Sequence, residues 1–332
     1  MRHSGFHSRR DFGFTAALPV EISFVIPLFN RLDLTQPCVA SLRESLPADL
    51  GYEILLVDDG STDDTREWLR SLDDPRFTVL LNESRRGYAH NNNRGARAAR
   101  GRFVALLNND LVFARGWLEP MLKAFSRFRD SGIVGNLQYR VATGELDHAG
   151  LVIDPKGRPE HLDHRRGRLI LPTAYSRRPA VTGACCVLER QQFLDLGGFD
   201  EGFINGGEGV DLCFRLRQAG LAVRVANRSR VLHHVSASPG RKARDEANSR
   251  RLCRKWRDTL IEDGARFWPH VYLHEHWHEP RRYELPLLLD ALVRVLGLIR
   301  SPSQYARDLV ARNIEREEAR WLGMFGPMKV VP

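Results

Sequence analysis

The composition, with 42% hydrophobic and 27% charged residues, is that of an ordinary globular protein, and 332 residues suffice for one large α/β domain or two smaller ones. No apolar stretch approaches the ~20 residues that a membrane-spanning helix needs, and no apolar segment follows the basic residues 1–14, so a cytoplasmic location is predicted. The net charge of +9 comes mostly from arginine. No helix-turn-helix, zinc-finger or RNA-recognition pattern accompanies it, so no nucleic-acid partner is expected.

The first half of the chain contains apolar runs that end in polar, turn-forming residues. Runs 22–26, 54–57 and 103–107 are typical of buried strands. The residues at their ends are Pro27, Phe29 and Asn30, then Asp58 and Asp59, then Asn108, Asn109 and Asp110. Single Asp or Asn residues can simply end strands and cap helices. Three such ends favour a ligand site instead, because open α/β sheets bind ligands beyond the carboxyl ends of their strands.

Helical patterns alternate with these runs up to about residue 135. The predicted helices are 34–46, 62–72, 88–99 and 117–128, and further strands are predicted at 77–81 and 132–135. This alternation predicts a Rossmann-like, doubly wound and mostly parallel sheet.

The pattern changes after residue 136, where short alternating runs and loops predict a smaller antiparallel part. The predicted elements are strands at 151–153, 180–188, 222–226 and 230–232, helices at 191–196 and 210–219, and helical structure from 241 onward. We therefore predict a flexible tail at 1–19, an α/β domain at 20–240 and a helical C-terminal extension at 241–332. Five scattered cysteines predict buried, reduced thiols.

Eight short motifs between Ile22 and Trp256 follow one another in a recognisable order. They are Ile26 to Asn30, Val57 to Ser61, Gly87 to Ala89 with Asn93 to Gly95, Leu107 to Asp110, Thr182 to Ala184, Gly197 to Glu201, Glu208 to Arg215, and His233. Together they resemble the family 2 glycosyltransferases of the GT-A fold, especially bacterial, rhamnosyltransferase-like enzymes that build surface polysaccharides. The resemblance implies a donor-binding part at 20–135 and an acceptor part at 136–240.

A nucleotide-sugar donor carries a base, a ribose and a diphosphate. A carboxylate in a short loop after a strand can accept hydrogen bonds from the base or ribose, which suits Asp58 or Asp59; the resemblance makes Asp59 the stronger candidate. The resemblance also implies that the turn after the first strand lines the same pocket. The predicted donor-binding residues are Pro27, Phe29, Asn30, Asp58, Asp59, Asn93, Asn108 and Asn109.

The diphosphate of such a donor calls for a hard divalent cation held by oxygen ligands. The resemblance places Asp110 at the metal-binding position of the family's Asp-x-Asp motif, although Asn108 replaces its first aspartate. It also implies that His233 ligates the metal or contacts phosphate, and imidazole suits Mn²⁺ better than Mg²⁺. The predicted cofactor is Mn²⁺ or Mg²⁺, bound by Asp110 and His233.

An inverting transfer needs a general base for the acceptor hydroxyl. Relatives carry a Glu-Asp pair at the start of the helix after the Gly-rich loop, but the second position here is Gly209. Glu208 is the nearest carboxylate and Asp211 lies one helical turn further, so both remain candidates for the base. The resemblance implies that Gly183, Gly198 and Asp200 lie on the acceptor side.

Two features of the C-terminal region leave alternatives open. His270, His274, His276 and His278 are expected on a surface loop or at a helix end, with adventitious metal binding as the alternative. The apolar segment 285–299 can pack on the α/β domain, form a homodimer, or contact the inner face of the membrane peripherally.

The leading hypothesis is an inverting, metal-dependent glycosyltransferase that moves a sugar from a UDP- or dTDP-sugar to a glycan, glycolipid or other hydroxyl acceptor. One alternative is a degenerate GT-A domain that binds glycans or partners without catalysis, motivated by Asn108 and Gly209. Another is a sugar nucleotidyltransferase, whose expected glycine-rich, cationic triphosphate loop is not found in residues 27–30.

Overall fold

The computed structural model describes residues 19–163, 173–234, 245–276 and 283–326. Residues 1–18 of the predicted tail lie outside these ranges, as do the predicted boundary at 240/241 and His278.

Strands and helices alternate in the first half of the chain, as predicted. The described strands are β1 Ile22–Leu28, β2 Tyr52–Asp58, β3 Phe77–Leu81, β4 Phe103–Leu107, β5 Leu111–Val112, β6 Ser131–Arg140, β7 Leu146–His148, β8 Leu151–Ile153, β9 Pro159–His161, β10 Tyr175–Arg177, β11 Cys185–Glu189 and β12 Ala222–His233. The described helices are α1 Leu32–Ser45, α2 Thr65–Arg70, α3 Tyr88–Ala98, α4 Glu119–Arg127, α5 Arg190–Asp195, α6 Glu208–Gln218, α7 Asp245–His276, α8 Leu285–Val295 and α9 Gln304–Phe325.

One large sheet carries the fold, in the order β10-β12-β6-β11-β4-β1-β2-β3. Strands β3, β2, β1 and β4 are parallel to one another, and β11 runs antiparallel between β4 and β6. Strand β12 is parallel to β6. The sheet is therefore mostly parallel with antiparallel additions, as predicted. The predicted division at 135/136 does not coincide with a structural boundary, because β6 runs through it.

Both faces of the sheet are covered, because its strands are apolar on both sides. In β1, Val25 belongs to the core on the face covered by α3, α6 and the C-terminal helices, whereas Phe24 and Ile26 belong to the core on the opposite face with α1 and α4. This alternation is the period-two pattern of a strand buried on both faces. Ligands are thus restricted to the rim at the strand ends.

Strand β12 differs from its prediction as two separate strands. The two predicted strands, 222–226 and 230–232, form one continuous strand, whose pairing with β6 shifts register between Ala226 and Arg230. The five cysteines are buried free thiols, as predicted. Among the described residues, no helix is both long and apolar enough to cross a membrane.

Candidate functional site

Asp110 and His233 meet at the carboxyl end of β4. The short strand β5 begins directly after Asp110 and pairs with the end of β12, where Leu111 lies opposite His233. This pairing places the His233 Nε2 atom 3.1 Å from Asp110 Oδ1. Both residues are buried. The sheet topology thus joins two predicted metal ligands that are 123 residues apart in sequence.

The electrostatics of this pair suit a cation. Burial opposes ionisation of Asp110, but the hydrogen bond and charge of His233 outweigh it and hold the pKa of Asp110 below its ordinary value. The second ring nitrogen of His233, Nδ1, is buried without a hydrogen-bond partner in the described part of the chain. Carboxylate oxygen and imidazole nitrogen together fit Mn²⁺. No described cluster of three or more His, Cys, Asp or Glu side chains is placed to hold a metal, so any further ligands would have to come from elsewhere, such as a donor phosphate or water.

Asp58 has a structural place at the end of β2, and its prediction as a donor-binding residue stays a prediction. Its side chain is fully buried and pairs with Arg66 Nε at 2.8 Å. It also accepts hydrogen bonds from the backbone N–H groups of Gly60 and Ser61. The carboxylate therefore stabilises the turn after β2.

Asp59 holds the loop that precedes α3. Its carboxylate accepts hydrogen bonds from the N–H groups of Arg86 at 2.7 Å and Gly87 at 3.0 Å, and from Asn82 Nδ2 at 3.2 Å. The side chain lies almost fully buried at the rim. Any donor that contacts Asp59 therefore also contacts, or displaces, this loop.

The turn after β1 lies against the same loop. The Arg85 guanidinium stacks 3.9 Å from the centre of the Phe29 ring. Asn30 adopts a left-handed backbone conformation with φ of 54° and accepts a hydrogen bond from the Thr62 N–H at 2.7 Å. Pro27, Phe29 and Asn30 are half-buried. The predicted pocket-lining turn is thus at the rim, with the cationic Arg85 across it.

The two asparagines before Asp110 link the metal pair to neighbouring elements. The Asn108 N–H donates to the Ala184 carbonyl at 2.8 Å. Asn109 Nδ2 donates to Thr35 Oγ1 at 2.8 Å, which ties the Asn109 amide to α1. The Asn108 side chain is half-buried at the rim, whereas the Asn109 side chain is held against α1.

Glu208 is the first residue of α6, and it lies close to Gly183. Glu208 Oε2 accepts a hydrogen bond from the Gly206 N–H at 2.7 Å. The Tyr88 hydroxyl donates to the Gly183 carbonyl at 2.8 Å, and burial followed by nearby charges, including Glu208, raises the pKa of Tyr88. A Cβ on Gly209 would lie only 3.2 Å from the Gly183 backbone N. Glu208, Gly183 and Tyr88 thus converge, and residues 183–184 connect them to Asn108.

Asp211 is fully buried, and the structure gives no support to its prediction as a catalytic base. Its fully buried carboxylate pairs with Lys255 Nζ at 2.6 Å and Arg215 Nε at 2.8 Å. It also accepts a hydrogen bond from Trp256 Nε1 at 2.8 Å. The carboxylate therefore anchors α7 to α6, and both of its oxygens are already engaged by these donors.

Replacing Asp211 by alanine is expected to destabilise the fold by about 3–5 kcal/mol, because two cations and an indole N–H lose their buried partner. Chemical denaturation followed by circular dichroism measures this change. Replacement of the exposed Asp195 by alanine is the matched control and should change the free energy of unfolding by less than about 0.5 kcal/mol. Equal stability of the two variants contradicts the structural assignment.

Asn93 and Gly198 also have structural places; the predicted donor contact of Asn93 and the predicted acceptor-side position of Gly198 stay predictions. Asn93 Nδ2 donates to the Phe199 carbonyl, and its Oδ1 accepts from the Phe199 N–H at 2.7 Å. Gly198 has a φ of +70°, and a Cβ there would meet Asn93 Oδ1 at 2.3 Å. Both residues therefore fix the Gly-rich loop against α3.

Asp200 lies between the same loop and the C-terminal extension. It pairs with Arg251 at 2.9 Å and Lys255 at 3.2 Å, both on α7. It also accepts a hydrogen bond from the Gly202 N–H. Its carboxylate is thus engaged with α7, and its predicted acceptor-side position stays a prediction.

Sequence reasoning missed four residues that shape the site: Tyr88, Arg85, Lys255 and Trp256. Tyr88 follows Gly87 inside a recognised motif, so its position was a usable signal. Arg85 lies in an ordinary polar loop, and the last two residues lie more than 40 positions from Asp211. No local pattern could have revealed them.

His270, His274 and His276 lie in the last turns of α7. The expectation of a helix end is therefore met for these three. His276 Nδ1 lies 2.9 Å from the Tyr272 carbonyl, and burial lowers the pKa of His270.

Residues 23–194, more than half of the chain, match the model of glycosyl transferase family 2, and the chain belongs to this family. The O-antigen biosynthesis protein RfbC of Myxococcus xanthus is 33% identical over 265 residues, covering 76% of this chain and 20% of that protein. Polypeptide N-acetylgalactosaminyltransferase 18 of Homo sapiens is 30% identical over 292 residues, covering 82% of this chain and 46% of that protein. The chain thus spans less than half the length of these curated relatives.

Two solved structures share the fold. GalNAc-T7 with UDP, GalNAc and Mn²⁺ superposes with a TM-score of 0.60 at 20% identity, covering 93% of this chain and 58% of that one. The mannosyltransferase PcManGT from Pyrobaculum calidifontis, in complex with GDP-Man and Mn²⁺, superposes with a TM-score of 0.57 at 17% identity, covering 94% of this chain and 91% of that one. The predicted family and the predicted GT-A fold are confirmed. The narrower likeness to rhamnosyltransferases stays a prediction.

Proposed function

We propose that this protein is an inverting, metal-dependent glycosyltransferase that uses a UDP- or dTDP-sugar and a hydroxyl acceptor on a glycan or glycolipid. The observation that carries the proposal is the Asp110–His233 pair, buried at the carboxyl end of β4 with one ring nitrogen unpartnered. Family membership supports the transferase class. The Mn²⁺ in both structural neighbours supports the cofactor.

Asp110 and His233 would hold Mn²⁺ or Mg²⁺ together with the donor diphosphate. The cation, when bound, neutralises the charge that develops on the leaving diphosphate. Asp110 contributes a carboxylate that its low pKa keeps ionised. The carboxylate of Asp59 would accept a hydrogen bond from the base or ribose at the neighbouring strand end.

Glu208 would take the proton from the attacking hydroxyl. The acceptor oxygen forms its bond to the anomeric carbon as the bond from that carbon to the diphosphate oxygen breaks, and the proton passes to the Glu208 carboxylate. A single displacement of this kind inverts the anomeric centre. The Gly206 N–H, bonded to Glu208 Oε2, orients the carboxylate for this step.

A groove between the loop that precedes Glu208 and helix α7 would receive the acceptor. Its volume is about 740 Å³, and it is lined by Gly202, Ile204, Ala247, Asn248, Arg251, Arg254 and Lys255. Asn248 exchanges two hydrogen bonds with the Ile204 backbone, at 3.1 and 2.9 Å, which fixes the loop leading to Glu208. The volume lies in the usual range for a small-molecule site. Sugar hydroxyls can hydrogen-bond to its polar wall.

The test is a panel of nucleotide sugars assayed with and without Mn²⁺. A ligand that binds only the folded state raises the unfolding temperature, so the true donor should give Mn²⁺-dependent stabilisation. The same donor should then be consumed in the presence of Mn²⁺. Absence of both stabilisation and donor turnover across the panel overturns the proposal.

The non-catalytic alternative is favoured by one specific observation, the close approach of Gly209 to Gly183 where relatives carry an aspartate. It predicts Mn²⁺-dependent donor binding with neither transfer nor donor hydrolysis. The panel therefore separates a binding module from an enzyme.

Replacing Asp59 by alanine is expected to weaken free UDP or dTDP as much as the full donor sugar, because a residue at the β2 end would contact the nucleotide part of the donor. A charged hydrogen bond contributes about 1.5–3 kcal/mol, so the Kd should rise roughly 10- to 100-fold. Isothermal titration calorimetry measures it. Loss of affinity for the donor sugar without loss of affinity for free UDP or dTDP contradicts the assignment. Replacement of the exposed Asp64 by alanine is the control and should leave both affinities unchanged.

A further inference from the structure

Helix α8 is apolar on two opposite faces. Its inner face packs Leu287, Leu288 and Ala291 against the core shared with α7 and α9. Its outer face exposes leucines at positions 285, 289, 292 and 296, with Leu285 65% and Leu296 71% exposed. This spacing of i, i+4, i+7 and i+11 forms one continuous stripe. A surface helix of a globular protein normally carries polar side chains on that face.

The charges of α8 do not interrupt the stripe. Within the helix, Asp290 and Arg294 pair with each other at 2.9 Å, and both are mostly buried. The apolar surface continues beyond the helix end, where Leu298 is 74% and Ile299 44% exposed. A contiguous exposed surface of this kind marks an interaction site. We call Leu285, Leu289, Leu292, Leu296, Leu298 and Ile299 the apolar ridge.

A cationic cavity adjoins the end of the ridge. Its volume is about 340 Å³, and it is lined by Arg266, Arg294, Gly297, Ile299, Arg300, Ser301 and Pro302. Arg266 is paired with Glu262, whereas Arg300 forms no ion pair with a described residue. Arg294 Nη1 is buried without a hydrogen-bond partner in the described ranges. The exposed guanidinium of Arg300 is thus available to an anion that enters the cavity.

We propose that the apolar ridge and this cavity dock the protein on an anionic membrane surface. The ridge would enter the boundary between headgroups and acyl chains, and a lipid phosphate would enter the cavity beside Ile299. The arrangement of leucines next to arginines is that of an interfacial helix. The 11 residues of α8 extend about 16 Å, half of the ~30 Å hydrocarbon core, so the helix lies on the membrane.

Charge favours lipid over a second copy of this chain. A symmetric dimer through the ridge would bring the same cationic cavity from each copy to one interface and supply no counter-charge for Arg300. Lipid phosphates supply that charge directly. The proposal does not depend on the glycosyltransferase assignment, because vesicle binding requires neither donor nor acceptor.

The test is flotation of the full chain with phosphatidylcholine vesicles, with and without phosphatidylglycerol. The protein should float with the anionic vesicles and dissociate as salt is raised, since screening weakens the headgroup contact. The double variant Leu296→Glu with Leu298→Glu should bind at least about tenfold more weakly, because two apolar side chains lose their burial. The Arg300→Glu variant should lose the preference for anionic over neutral vesicles.

The matched control is Arg129→Glu, which makes the same change in net charge in the loop after α4, the helix that packs on the opposite face of the sheet. It should bind vesicles like the parent protein. Thermal unfolding and Mn²⁺-dependent nucleotide binding show whether each variant is folded. Failure of the parent to float, or equal loss in the Arg129→Glu control, overturns the proposal. A dimer in solution that the Leu296→Glu and Leu298→Glu changes convert to monomer also overturns it.

Discussion

Replacement of Asp110 by alanine is expected to abolish Mn²⁺-dependent nucleotide binding and to lower sugar transfer about 10³-fold. The residue supplies the carboxylate of the pair with His233, and metal stabilisation of a leaving group contributes about 4 kcal/mol. The fold should persist, because the loss removes a buried carboxylate and leaves an imidazole that can be neutral. Calorimetry with UDP, in Mn²⁺ and in EDTA, measures the binding.

Two comparisons sharpen this result. Replacement of the exposed Asp195 by alanine removes the same charge from α5 and should leave Mn²⁺-dependent affinity unchanged. Replacement of His233 by alanine should weaken binding in the same, metal-dependent manner. Full Mn²⁺-dependent affinity in the Asp110→Ala protein excludes Asp110 as a metal ligand.

Replacement of Glu208 by glutamine is expected to lower turnover by about 10²–10⁴-fold while donor binding persists, because glutamine keeps the shape and the Gly206 contact but cannot accept the proton. Single-turnover transfer with the true donor measures the rate, and calorimetry measures donor affinity. The free energy of unfolding should remain close to that of the parent, in contrast to the Asp211→Ala variant.

The control for this experiment is replacement of the half-buried Glu189, paired with Arg102, by glutamine, which makes the same change on β11 away from the groove. It should turn over at the parent rate. Parent-like turnover of the Glu208→Gln variant shows that Glu208 is not the base. If the parent itself binds donor without transfer, the binding-module hypothesis replaces the enzyme.

The sheet and its rim could be predicted from sequence because their signals are local. An apolar run that stops at Asp110 or Asp59 identifies a buried strand and the side where a ligand can approach. The pairing of Asp110 with His233 was available only as a family likeness, since it depends on β5 joining β12 across the fold.

The structural partners of each carboxylate could not be predicted from sequence. Asp58 and Asp59 are adjacent at one strand end, yet Asp58 holds the turn after β2 with Arg66 and Asp59 holds the loop before α3. Asp211 had a plausible helical spacing, but its partners Lys255 and Trp256 come from a distant helix. Which side chains pair with a given carboxylate depends on tertiary packing, and the spacing of residues along the sequence does not show it.

Gly209 illustrates a related limit. The sequence shows a missing aspartate and nothing of its surroundings. The structure shows that a Cβ there would press on the Gly183 backbone at 3.2 Å, so a larger residue requires the 181–183 segment to shift. The absence of a side chain at Gly209 lets α6 pack closely against the 181–183 segment.

The anchoring of Asp211 by Lys255 and Trp256 makes the C-terminal helices part of one unfolding unit. A chain ended before Asp245 would keep every rim residue yet leave a fully buried carboxylate with only Arg215, and would uncover Phe214, whose ring packs 5.5 Å from that of Trp256. Cooperative transitions arise when the parts of a fold complete each other in this way. Melting curves followed at the rim and at α7 should therefore coincide. Truncation before Asp245 should disorder the rim even though it removes none of the rim residues.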